Sequence, residues 1–130
     1  MACKSKEIVF RPDSPDAEYI HFGSGGGFTG KVIKYYLTKD GTIYTDQDDK
    51  INKIGTAPAA QTNQIFSNYK ALGLNNITLK EPGNYYQFIE SHNAAETNKI
   101  IWGKEPLENK NIDTYFSILM GVVKNLNAIK

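Results

Sequence analysis

The segment from His21 to Gly41, HFGSGGGFTGKVIKYYLTKDG, constrains this chain more than any other stretch. Gly23, Gly25, Gly26, Gly27 and Gly30 fall within eight residues. Each glycine loses more conformational freedom on folding than any other residue, so the fold has to make use of the backbone geometry they allow. Lys31 to Thr38 follows, with Ile33, Tyr35 and Leu37 on one side and Lys34 and Thr38 on the other. That alternation predicts a half-buried strand. Asp40-Gly41 before Thr42-Ile43-Tyr44 predicts a hairpin closed by a two-residue type I′ turn, whose two central residues need positive φ. The glycine cluster is therefore expected to be a flexible or bulged lead-in to a β-hairpin.

At 130 residues the chain is long enough to bury one ordinary core without metal or disulfide. Its 15 basic and 14 acidic side chains leave a net charge of +1, which argues against the one-signed field of a dedicated nucleic-acid binder. Eight tyrosines and six phenylalanines favour an ordered aromatic core. The most apolar stretch, Tyr115 to Ile129, is interrupted by Lys124 and Asn125 and is too short to span a bilayer.

The remaining elements follow from local pattern. Glu7–Phe10 and Ala17–Phe22 are strand candidates separated by the proline-rich break Arg11–Asp16. Thr45–Lys50 is expected to be a polar turn and Ile51–Ile54 a short strand. A helix over Ala60–Leu72 buries Ile65, Phe66, Tyr69 and Leu72 and stops at Gly73. Ile77–Leu79 is extended, and Glu81-Pro82-Gly83-Asn84 has the order of a type II turn. Tyr85–Ser91 and Lys99–Trp102 pair as a hairpin. Asn111 is expected to cap a last helix, with Asp113 in its first turn and Ile112, Tyr115, Phe116, Leu119, Val122, Val123 and Leu126 in one stripe. Together these predict a tether over residues 1–6 and one α+β domain over 7–130. That domain is a mostly antiparallel β-sheet built from hairpins, packed on one side by two α-helices.

No motif here carries a definite chemistry. GSGGGFTG lacks the lysine and hydroxyl residue of a P-loop and runs into a strand, so no helix N-terminus waits for an anion. His21 and His92 have no metal-like spacing. A His21–Ser24 pair is the one nucleophile arrangement that proximity suggests. Asp46, Asp48 and Asp49 lack the glycine and distal glutamate of a calcium loop and read as a solvated turn. No catalytic residue, metal or cofactor is assigned. Two surfaces remain as binding candidates: the glycine segment Gly25, Gly26, Gly27 and Phe28, which presents bare backbone, and the aromatic residues Tyr85, Tyr86 and Trp102.

The lone cysteine, Cys3, follows Met1-Ala2 and precedes the polar run Lys4-Ser5-Lys6-Glu7. This resembles the N-terminus of a mature bacterial lipoprotein, in which the first cysteine carries lipid. FGSGGGFTG–KVIKYYLTKDGTIY, then EPGNYYQFIES, then NKIIWG before a final amphipathic helix, is similar to a group of small lipoproteins from Bacteroidetes. The resemblance covers nearly the whole chain from about Ile20 onward. It implies lipidation at Cys3 and a cell-envelope location, anchored at the outer membrane and facing the periplasm or the surface. Lys6-Glu7 partly matches the acidic, lysine-containing signals that resemble surface-export tags. The resulting expectation is a non-catalytic envelope domain that binds a protein partner, as an inhibitor or accessory subunit, and touches the membrane only through its lipid. The alternative is a small-ligand-binding protein or hydrolase-like enzyme, with a pocket between sheet and helices that draws on His21, Ser24, Asn84 or Glu90.

Overall fold

The structure, a computed structural model, describes residues 11–12, 14, 17–26, 32–47, 50–77, 79–81, 85–103 and 110–128. The expected strand Glu7–Phe10 and the turn at Pro82-Gly83-Asn84 lie outside the described residues. Seven strands form one sheet: β1 (Tyr19–Gly26), β2 (Ile33–Thr38), β3 (Thr42–Gln47), β4 (Lys50–Thr56), β5 (Leu79–Glu81), β6 (Tyr85–His92) and β7 (Thr97–Trp102). Their order across the sheet is β4-β3-β2-β1-β6-β7-β5. Every pairing is antiparallel except β5 with β7, which is parallel. Helices α1 (Ala59–Ala71) and α2 (Lys110–Ala128) complete an α+β fold.

Alternation along the strands gives the sheet two unlike faces. The inner face carries Ile20 and Phe22 of β1, Leu37 of β2, Ile43 of β3, Ile89 of β6 and Ile100 and Trp102 of β7, all buried in one cluster. Helix α2 adds Ile112, Tyr115, Phe116, Leu119, Val122 and Val123 to that cluster, a stripe recurring every three to four residues. Full burial of each such aliphatic side chain stabilises the fold by about 1.5–3 kcal/mol. Helix α1 contributes Ile65 and Tyr69. The two helices are tied by the Tyr115 hydroxyl, which donates to the Ile65 carbonyl at 2.6 Å. At the edge strand, Gly55 leaves the space that Leu126 of α2 occupies, since a Cβ there would lie 2.9 Å from that side chain.

Several local expectations are corrected. The glycine cluster is not a lead-in to the hairpin, because Gly23, Gly25 and Gly26 are part of β1, the central strand. An ideal Cβ on Gly23 would stand 2.0 Å from the Ile33 carbonyl oxygen of β2, so this glycine permits a close backbone approach. The β2–β3 hairpin does not close through a two-residue turn. Gly41 N–H bonds Thr38 O at 2.9 Å and Gly41 has φ +94°, which is a three-residue loop with glycine in the left-handed position. Asp40 reinforces it by accepting from the Thr38 hydroxyl and from Thr42 N–H, and these hydrogen bonds hold its carboxyl below the usual range, the Thr38 bond foremost. The expected turn Thr45–Lys50 is mostly strand, and Asn111 lies inside α2 because the helix already begins at Lys110.

Gly23→Ala is expected to lower stability by about 3 kcal/mol or more, because a backbone oxygen has to give way. Gly73→Ala, at φ +77° with nothing within 4 Å of the added carbon, is expected to cost only about 1–2 kcal/mol. Tyr115→Phe, which removes a second donor from an Ile65 carbonyl that keeps its place in the α1 helix ladder, is expected to cost about 0.5–1.5 kcal/mol. Urea unfolding midpoints at constant slope measure all three.

Candidate functional site

The strands separate the residues that the sequence grouped as a binding surface. Gly25 and Tyr86 face each other across β1 and β6 on the outer face. A Cβ on Gly25 would lie 2.7 Å from the Tyr86 hydroxyl, so the glycine makes room for that ring. Gly26, at φ +83°, ends the strand. Tyr85 and Trp102 lie on the inner face. Trp102 is 2% exposed, with its ring edge-on to Phe116 at 5.5 Å, so it is a core residue. Gly27, Phe28, Asn84, Cys3, Asp48 and Asp49 lie outside the described residues. His21 and Ser24 project from opposite faces of β1, which rules out a hydrogen-bonded pair between them.

What the outer face does assemble is a polar row that sequence spacing concealed. His21 of β1, Tyr36 of β2 and Glu90 of β6 are in direct register. The His21 Nδ1 donates to Glu90 Oε1 at 3.4 Å, and its Nε2 points at Asp46 Oδ2 of β3, 3.7 Å away. Lys34 Nζ approaches the same Asp46 oxygen at 3.7 Å. The imidazole stacks on Tyr36 at 4.0 Å and meets Phe88 edge-on at 5.0 Å. Burial, followed by the Asp46 carboxylate, pushes the Tyr36 phenol well above its ordinary value. The hydrogen bond from His21 holds the Glu90 carboxyl below the usual range against the opposing effect of burial, and Lys99 adds to it. With its side chain only 13% exposed, His21 braces the strands and offers little surface to a ligand. No set of three His, Cys, Asp or Glu among the described residues is placed to hold a metal ion.

The accessible concavity lies on the opposite face. A cleft of about 700 Å³ opens between α1 and the end of the sheet where β1 begins and β6 ends. Its floor is Ile20, Phe66 and Tyr69, and its α1 wall presents Asn63, Ser67 and Lys70. The sheet side supplies Glu18, Lys39, Ser91 and His92, with Asn93 and Glu96 from the β6–β7 turn and Asn75 from the short 3₁₀ turn Leu74–Asn76. Three side chains fix its shape. Lys39 pairs with Glu18 at 3.2 Å and lies over the Phe66 ring at 5.5 Å. Asn98 donates to the Tyr69 hydroxyl at 2.8 Å and to the Leu74 carbonyl at 2.9 Å. His92 Nδ1 donates to the Ala17 carbonyl at 2.7 Å. Burial pushes the Tyr69 hydroxyl up to about 12, so it stays protonated at neutral pH.

A pocket between sheet and helix is thus present, but none of His21, Ser24 and Glu90 lines it. The only sequence signal for it was an interruption: Ser91 and Asn98, a registered pair, are polar just beyond the buried inner-face pair Ile89 and Ile100. No protein-family model matches this chain, and no curated protein matches it.

The depressed Glu90 carboxyl sets the sign of a pH effect. Its extra stabilisation is complete above the ordinary glutamate value of about 4.3 and is lost as pH falls through the lower folded value. Wild type is expected to exceed Glu90→Gln in urea midpoint at about pH 5, where the Glu90 carboxylate is fully ionised. Below about pH 4 that margin is expected to shrink, and a margin that went on growing from about pH 4 to about pH 2 would contradict the His21–Glu90 assignment.

Proposed function

We propose that this chain is a non-catalytic binding domain of the bacterial cell envelope, tethered by lipid on Cys3, which recognises a protein partner through the cleft between α1 and the sheet. The observation that carries the reading is the cleft itself. It combines an apolar floor with a rim of amides, hydroxyls and both signs of charge, the mixture found where protein surfaces meet. Its size falls in the range of pockets that bury most of a small ligand or a short chain segment. No helix among the described residues is long and apolar enough to cross a membrane, and attachment in this reading rests on the N-terminal lipid alone. The opposite face supports the assignment by contrast, since its half-buried Asp46 and Glu90 carboxylates both lie against His21.

The sheet edges are weaker alternatives. The edge strand among the described residues, β4, carries Lys50 and Lys53, and the β3–β4 register shifts between Ile43 and Tyr44, both devices that discourage strand addition. The edge strand at the other side, β5, has only three residues.

The test is an affinity capture from native envelopes with the full-length protein, a Cys3→Ser form and a Ser67→Trp form whose indole fills the cleft. Wild type is expected in the membrane fraction and Cys3→Ser in the soluble fraction, both retaining the same partner. Ser67→Trp is expected to lose that partner while unfolding at the same urea concentration. A wild-type protein found wholly in the cytosol would end the envelope reading. Undiminished capture by Ser67→Trp would remove the cleft as the recognition surface.

A further inference from the structure

From the lining of this cleft we infer the chemistry of its occupant: an extended peptide segment that carries an acidic and a basic side chain. The inference rests on the cleft being the recognition surface. The charges of the lining come first. Two lysines, Lys39 and Lys70, face two glutamates, Glu18 and Glu96, so the cleft has no excess of either sign to attract a polyanion or a polycation. These charges are not equally committed. Lys39 and Glu18 are joined at 3.2 Å, whereas Lys70 and Glu96 are exposed and make no ion pair among the described residues. An occupant with one carboxylate and one cation satisfies both.

The polar groups between them match a peptide backbone. Asn63, Asn75 and Asn93 each carry an amide, which has donors and an acceptor on one planar group, as a peptide unit does. Asn93 already spends its oxygen on Ala95 N–H at 2.8 Å and Glu96 N–H at 3.0 Å, which leaves its NH₂ for a carbonyl. Asn75 Oδ1 has the reverse need, being buried without a hydrogen-bond partner among the described residues. Such groups are few in folded proteins and mark places where a donor is missing.

The aromatic residues decide against a sugar. A pyranose binds by laying its C–H face on an open ring, and neither ring here is open. The Lys39 ammonium lies over Phe66, and Tyr69 is 4% exposed and packed against Tyr115 at 5.5 Å. A purely apolar ligand would strand the amides and both free charges.

The experiment is selection of a phage-displayed library of random heptapeptides on the immobilised full chain, with counter-selection on Ser67→Trp. Enriched peptides are expected to contain an acidic and a basic residue at a recurrent spacing. Synthetic copies are expected to bind wild type several-fold more tightly than the Lys70→Gln/Glu96→Gln double variant, in keeping with partly exposed ion pairs. Replacing the two charged peptide residues with glutamine is expected to cost as much on wild type and nothing on the double variant. Enriched peptides without the charge pair, or with equal affinity for both proteins, overturn the inference. So does binding of a neutral trisaccharide in the cleft when no peptide is enriched. These failures differ from that of the cleft reading, which fails when envelope capture survives Ser67→Trp.

Discussion

The fold depends on the close approach of β1 to its two neighbours. Each of its eight residues is registered with β6, and six are registered with β2. The N-terminal meander β2–β3–β4 joins the sheet only through β2, and β7 and β5 join it only through β6. Strand β1 is therefore the seam between two halves of the sheet. Its inner residues Ile20 and Phe22 are core, while at Gly23 the backbone of β2 comes so close that a side chain would push the strands apart. The glycines that look like a flexible linker are what let the most constrained strand form.

A seam of this kind needs its register fixed, because a slip of one residue exchanges the two faces. The inner face resists a slip through burial alone. The outer face does so through pairing: Asp46, Tyr36, His21, Glu90 and Lys99 come from five adjacent strands and meet in one row. A buried polar row is costly when its partners are missing, so a shifted sheet would pay twice, in exposed apolar residues and in unpaired charge. His21 therefore has a structural role, joining the strands on either side of β1.

Much of the architecture was legible in the sequence. A period-two run marked β2, aromatic and β-branched content marked β6 and β7, the Ile65–Tyr69 spacing marked α1, and the stripe from Ile112 to Leu126 marked α2 almost to its ends. What pattern alone missed depended on tertiary neighbours. Glycine content suggested a loop at Gly23–Gly26, because propensity ignores a side chain such as Tyr86 arriving from another strand. Asp46 looked like part of a solvated turn because its partners, His21 and Lys34, are 25 and 12 positions away in sequence. Trp102 read as a candidate surface anchor because a strand-end tryptophan is compatible with either face, and only the register with Gln87 and the position of Phe116 place it inside. The cleft left the faintest trace, two polar residues at inner-face positions.

Those two residues explain why a cleft exists at that end of the sheet. Ser91 is registered with Ile20 on one side and Asn98 on the other, so the inner face ends in short polar side chains just where α1 passes over it. Asn98 spends its amide on Tyr69 and Leu74, which pins the end of α1 and the turn after it to β7. Ser91 is too small to reach across, and a gap remains beneath Phe66. The gap is bounded by hydrogen bonds and by the Glu18–Lys39 pair. Walls held in this way lose little conformational freedom when an occupant arrives, which favours binding by reducing its ordering cost. The same polar interruption that weakens the core at this end thus leaves a preformed place for another chain.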